Sequence, residues 1–362
     1  MADPKNSTHS RLTAAPTALI TTYYQANSEA FEQARHQSEA VTDRFYTIAG
    51  FTIRLRFAGP ALLPRLLPAL EHLATDPVSF PDLTVCLWDS GSTSVPAPSP
   101  PWEAGRYFAH GEVKEFCTDR FYTHLNVGPN ILSLLDFDRK EAIYWAPSLK
   151  VIPNYEVSVP LRTILHTWLS RFGRHMVHAG AVGLPTGGVL LIGHGGAGKS
   201  NTALSCLSSE LKYLSDDHCL VAAEPEPTVY SVYGTGKLFP QDIARIPALA
   251  SLGDDAPIVQ TEKALFYLHR HFAHKIMTEF PLKALLLLQV TGKVDSCLVP
   301  VSGAMGLRAL APGQMMQWPT AGPATFQTIA RLCRQLPCYR FELGTDRAQI
   351  PAMILKLLKD QG

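Results

Sequence analysis

Gly188-Val-Leu-Leu-Ile-Gly-His-Gly-Gly-Ala-Gly-Lys-Ser200 is the stretch on which the fold turns. From Gly193 onward it fits G-x-x-x-x-G-K-[ST] at every fixed position. Val189-Leu-Leu-Ile192 is a buried-strand run directly before the loop, and Thr202-Ala-Leu-Ser-Cys-Leu207 continues after it as a helix. Strand, glycine-rich turn and helix in this order make a phosphate-binding loop. Glycines let the backbone curl with its N–H groups pointing inward, and the helix that follows adds free donors at its first turn.

The expected contacts to a nucleotide are Gly193, His194, Gly195, Gly196, Ala197, Gly198, Lys199, Ser200 and Asn201. Lys199 can reach the β- and γ-phosphates, and the Ser200 hydroxyl can ligate Mg²⁺. ATP and Mg²⁺ are therefore the expected cofactors, with ATP against GTP left open.

Downstream, Leu214-Ser-Asp216-Asp217-His-Cys-Leu220 sets adjacent carboxylates between apolar residues. Such a site needs an acidic group for the Mg²⁺ shell, and a kinase also needs one to accept the proton of the attacking hydroxyl. Neighbouring residues at a strand end point to opposite faces, so one pair can divide these tasks. Upstream, His178 in Val177-His-Ala-Gly180 lies one strand before the loop; a lone histidine there is more often structural. Tyr233-Gly-Thr-Gly-Lys237 reads as a plain β-turn, and Lys263 as a further phosphate contact.

Around this core the pattern is strand, loop, helix. Pro160 to Phe172 reads as a helix, Val177 to Val182 as a strand, and Leu282 to Val290 as a nearly continuous apolar strand suited to a sheet covered on both faces. A helix, a strand and a last helix follow between Ala324 and Leu358. A mixed α/β domain over 151–362 results. Residues 45–150 make a separate α+β unit for substrate recognition or assembly: Phe51 to Phe57 alternates as a strand, and leucines from Pro60 to Leu73 recur at helical spacing. Residues 1–44 read as a mobile tail running into a helix around Ser28 to Thr42.

Composition excludes several alternatives. The 362-residue chain carries a formal net charge of +1, with no basic excess for nucleic acid or an anionic membrane. Its seven cysteines form no C-x-x-C, which argues against zinc and a disulfide framework. Ala284 to Leu288, the longest purely apolar run, is too short to span a bilayer. The first ten residues lack the apolar core of a signal peptide, so the expected location is the cytoplasm.

His178-Ala-Gly-Ala-Val, the loop to Ser200, and Leu214-Ser-Asp-Asp217 together resemble the catalytic core of the HPr kinase/phosphorylase family. The resemblance is closest to its divergent branch, which includes kinases that phosphorylate a serine of lasso-peptide precursors, and it covers roughly 155–362. It implies a P-loop α/β kinase core of the HPr kinase and phosphoenolpyruvate carboxykinase type. It also implies Asp216 as the base that activates the substrate hydroxyl, with His178 assisting it by hydrogen bonding. Asp217 and Ser200 would serve Mg²⁺, and Lys199 the phosphates. Asn201 stands where the bifunctional enzymes carry a glutamate, which argues against HPr as acceptor.

The expected activity is ATP-dependent phosphorylation of a serine or threonine hydroxyl on a peptide or small protein, such as a ribosomal natural-product precursor. The alternatives are a small-metabolite kinase and a non-catalytic nucleotide-binding regulator. Homo-oligomers are common in the HPr kinases, although nothing in this sequence demands one.

Overall fold

The computed structural model describes residues 17–38, 40–103, 105, 111–252, 258–259, 263–317 and 322–361. Its first layer is a helix, α1 (Thr17–Gln37), on a six-stranded sheet. The strands are β1 (Val41–Ile48), β2 (Phe51–Ala58), β3 (Leu83–Asp89), β4 (Phe121–Asn126), β5 (Ile131–Asp136) and β6 (Glu141–Ala146), in the order β1-β2-β3-β6-β5-β4. Alternation along β3 decides what each face packs against. Cys86 and Trp88 face α1, beside its Tyr24 and Phe31, whereas Leu83, Val85 and Leu87 face the rest of the molecule.

On that second face lies α2 (Arg162–Ser170), which buries Ile164, Leu165, Trp168 and Leu169. The same cluster runs on without a break into Leu220, Val232, Tyr233, Leu265 and Tyr267. The N-terminal sheet thus has its own strand order but shares its core with the downstream part. The unit expected over 45–150 is packed against the downstream part through one continuous cluster. The tail also ends earlier than expected: α1 stops at Gln37 and β1 already begins at Val41. The helix expected from Pro60 to Leu73 is broken into a helical turn, Leu63–Leu66, and a 3₁₀ turn, Glu71–Leu73. Pro64 fits the first turn, but Pro68 lacks the N–H that a continuing helix requires.

The second sheet has nine strands. In chain order its elements are β7 (His175–Val177), β8 (Gly180–Leu184), β9 (Gly187–Ile192), α3 (Lys199–Ser205), β10 (Lys212–Ser215), β11 (Cys219–Ala222) and β12 (Thr228–Tyr230). A small sheet of β13 (Thr235–Leu238), β14 (Ile258–Val259) and β15 (Ala264–Tyr267) is interposed. The large sheet resumes with β16 (Glu279–Val290), β17 (Cys297–Val301), α4 (Gly303–Gln317), α5 (Gly322–Gln335), β18 (Cys338–Leu343) and α6 (Gln349–Asp360).

β16 is the spine. Its start pairs with β12, and its remainder runs parallel to β9 on one side and β18 on the other. Buried between helices on both faces, it reads as an apolar run: Leu282, Ala284, Leu285, Leu286 and Leu288 are all in the core. Leu191 and Leu286 pack with Ala203 and Leu204 of α3 and Ile354 of α6. Leu190 and Leu285 pack with Leu310 of α4 and Ile329 and Leu332 of α5. The result is a mixed α/β architecture. Among the described residues no helix is long and apolar enough to cross a membrane.

Candidate active site

Strand directions bring the motifs together. β8 is antiparallel to β9, and β10 is antiparallel to β8. The start of β8 and the ends of β9 and β10 therefore share one edge of the sheet. His178 precedes β8, the loop Gly193–Gly198 follows β9, and Asp216 and Asp217 follow β10. Together with Lys237 and Phe239 from the segment of β13 they line one cleft of about 440 Å³. Open α/β sheets place ligand sites at such strand ends.

The loop is shaped by its glycines. Gly196 and Gly198 have φ of +84° and +97°, a region that L side chains avoid. A Cβ at Gly193 would fall 2.6 Å from that of Ala197, whereas one at Gly195 would meet nothing within 4 Å. Ala197 N–H donates to His194 O at 3.1 Å to close the turn, and Thr202 N–H to Gly198 O at 2.8 Å to start α3. Lys199 is folded back on the loop, its Nζ donating to Gly193 O at 2.6 Å and His194 O at 3.3 Å. Burial lowers the pKa of its ammonium, against the pull of Asp217 and Asp216. Asn201 also lines the cleft, where its Oδ1 accepts from Arg347 at 2.9 Å and its Nδ2 is 3.5 Å from Asp242.

The two carboxylates have different surroundings. Asp216 is 2% exposed. Its Oδ2 accepts the Lys237 backbone N–H at 3.0 Å, and the nearby Ser200 side chain favours the charged form of the same carboxyl. Its Oδ1 lies 3.0 Å from the Tyr213 hydroxyl, which is also 2.6 Å from Thr235 O. Thr235 O only accepts and the phenol has one hydrogen. A proton on Asp216 would complete that chain, in line with a pKa raised by burial and the neighbouring Asp217.

Asp217 is surrounded by donors. His178 Nε2 is 2.9 Å from Oδ1, His218 Nδ1 is 3.1 Å from Oδ2, and the Lys237 ammonium pairs with Oδ2. Burial alone would raise this carboxyl, but His218, His178 and Lys237 hold it well below the usual carboxylate range. Burial brings His218 itself down to about 4, so at neutral pH it is uncharged. Its tautomer follows from its other neighbour. Arg162 Nη1, which can only donate, faces Nε2 at 3.4 Å, so the proton resides on Nδ1, which lies near Asp217 without hydrogen-bonding geometry. The His178 and His218 rings stack at 5.2 Å with their planes 9° apart.

His178 therefore contacts Asp217, where assistance to Asp216 was expected. Ser200, expected to share Mg²⁺ with Asp217, lies near Asp216. Lys237, expected in a plain turn, is on β13 and enters the site. Lys263 lies 5.0 Å over the Phe239 ring at the rim. His218 and Arg162 were not foreseen: the histidine directly follows the acidic pair, but the arginine carries no local signal.

Mg²⁺ bound with a nucleotide needs only one or two carboxylate or hydroxyl ligands besides phosphate oxygens. Ser200 and Asp216 form such an all-oxygen pair beside the loop, so the residues fit the metal. Among the described residues no group of three or more His, Cys, Asp and Glu could hold a metal ion without a nucleotide.

No family model and no curated protein matches the chain. Among solved structures, the Hpr(Ser) kinase/phosphatase from Coxiella burnetii is similar at a TM-score of 0.31 and 11% identity, over 51% of this chain and 89% of that one.

Proposed function

We propose that this protein is an ATP-dependent kinase that transfers the γ-phosphoryl group to a serine or threonine hydroxyl of a peptide or small protein. What carries the reading is the meeting, in one cleft, of the glycine loop with Lys199 and a carboxylate flanked by His178, His218 and Lys237. A site that only held nucleotide would have no use for that second carboxylate.

The roles of the aspartates are the reverse of those that the family resemblance implies. Asp216, beside Ser200, is the metal-side group, and Mg²⁺ bound there would neutralise charge on the phosphates. Asp217 receives the acceptor hydroxyl. A carboxylate has about four lone-pair positions, and those not taken by His178 and Lys237 include one open to the cleft. That position orients the hydroxyl toward the loop and takes its proton. A low pKa does not prevent this, because phosphoryl transfer is dominated by positioning and the proton leaves late in a loose transition state. Lys199, released from Gly193 O, and Lys237 then face the charge of the transferred group.

Radiolabelled ATP, incubated with the protein, Mg²⁺ and a panel of serine and threonine peptides, tests this. Phosphopeptide identified by mass spectrometry is expected. ATP binding without transfer to any member of the panel would overturn the peptide-kinase reading.

A further inference from the structure

Asp242 lines the nucleotide cleft but has no part in the chemistry above. It sits on the turn Pro240–Ile243 that follows β13, and its carboxylate faces Asn201, Arg245 and Arg347. We propose that Asp242 binds the ribose of the nucleotide, its Oδ2 accepting a ribose hydroxyl. The inference rests on the nucleotide reading of the cleft, and it names the residue that tells a nucleotide from a bare phosphate chain.

Topology gives the direction. β9 carries the phosphate loop. On one side of it lie β8 and β10, with His178, Asp216 and Asp217 at their ends; on the other lie β16 and then β18. Arg347 follows β18, so it belongs to that second side. Successive residues of α3 point about 100° apart. Ser200 is near Asp216, whereas Asn201 turns to Arg347, whose Nη1 donates to its Oδ1 at 2.9 Å. Transfer to a hydroxyl at Asp217 sets the γ-phosphate on the first side. The nucleoside then runs to the second, where Asn201 and Asp242 line the same cleft.

The surroundings of Asp242 select the group it takes. Arg245 Nη1 is 2.9 Å and Arg347 Nη2 3.6 Å from Oδ1. Among the described residues Oδ2 meets only Asn201 Nδ2, at 3.5 Å, longer than the usual hydrogen bond. That oxygen keeps room for a stronger donor. Two guanidinium groups beside the carboxylate oppose a metal ion there, and the carboxylate itself opposes a phosphate oxygen. A neutral hydroxyl suffers neither repulsion and can donate.

The full-length protein with Mg²⁺ would be titrated by calorimetry with ADP, 2′-deoxy-ADP, 3′-deoxy-ADP and pyrophosphate, none of which carries a γ-phosphoryl group to transfer. One deoxy compound is expected to bind about tenfold or more weakly than ADP, the scale of a hydrogen bond to a charged group. Asp242→Ala should bring ADP down to that level and leave pyrophosphate affinity unchanged, with melting temperature confirming the fold. Asp242→Asn, which keeps the size of the side chain, should narrow the same gap, and it carries the test if the alanine variant melts early. Equal binding of all three nucleotides by the parent, or a gap that persists in both variants, overturns the proposal. So does a parallel loss of pyrophosphate affinity, which would place Asp242 on the phosphates or on the shape of the loop. Pyrophosphate binding without any gain from the nucleoside overturns the ribose site alone. A protein that binds neither ADP nor pyrophosphate overturns the nucleotide reading with it.

Discussion

The two ends of the nucleotide cleft are built in opposite ways. The loop end is a contiguous run, Gly193 to Ser200, in which even the lysine bonds to its own turn. The carboxylate end is assembled from α2, the start of β8, the end of β10 and β13, which supply Arg162, His178, Asp217 with His218, and Lys237. Local order makes the loop a self-sufficient anion nest. The far corner owes its geometry to the tertiary fold, and the proposed reaction assigns it the chemistry. Substitutions at the two ends should therefore fail differently.

The largest effect is expected from Asp217→Asn. An amide does not accept the hydroxyl proton, and a base of this kind contributes on the order of 10²–10⁴ in rate. Single-turnover transfer should fall by that much while ATP affinity survives. Asp216→Asn should instead raise the Mg²⁺ concentration needed for binding, because an amide cannot give up a proton to become an anionic ligand beside Ser200. If Asp216→Asn is the variant that transfers slowly with normal metal dependence, the assignment of the two aspartates is reversed.

At the other end, Lys199→Ala should weaken ATP binding by roughly 1.5–3 kcal/mol, the worth of a charge-assisted hydrogen bond. Calorimetry with circular dichroism as a folding control reads this directly. Unchanged affinity in a folded variant would mean that the lysine keeps to Gly193 O and does not serve the phosphate. Between the two, His178→Ala removes one donor of Asp217 and should slow transfer by about tenfold without altering ATP affinity. A loss of affinity in step with the rate would place His178 on the nucleotide.

The same contrast explains what the sequence makes legible. Eight neighbouring residues specify the loop, so its strand, turn and helix follow from local rules, and so does the apolar β16 with helices on both faces. The acidic pair and His178 can be picked out as reactive types, but their partners depend on how β8, β10 and β13 are ordered, which no local period encodes. Lys237 looks like part of a turn because Gly234 and Gly236 flank Thr235, whereas β15 pairs with this segment and makes it a strand. Arg162 sits on an amphipathic helix where an arginine is ordinary. The shared core is equally non-local: Val232, Tyr233 and Tyr267 belong to the cluster that holds Ile53 and Leu55, more than 170 residues earlier in the chain.

The smallest effect on stability comes from a glycine within the loop, and a pair of such glycines separates folding from binding at one site. At Gly193 an added methyl would lie 2.6 Å from the Ala197 Cβ, so Gly193→Ala forces the turn open. Overpacking of this sort costs roughly 1–3 kcal/mol, and denaturant unfolding should show it. At Gly195 the same methyl meets no protein atom within 4 Å, and its φ is not among the positive ones. Gly195→Ala should leave stability within about 0.5 kcal/mol of the parent. Yet the space that the methyl would enter lines the cleft beside Lys199 and Ser200, where phosphate oxygens would approach the backbone. ATP affinity should therefore drop in Gly195→Ala although the fold does not notice the change. Intact stability with intact affinity would mean that the phosphates lie elsewhere along the loop. A loss of stability would mean that the open space at Gly195 belongs to the fold and not to a ligand.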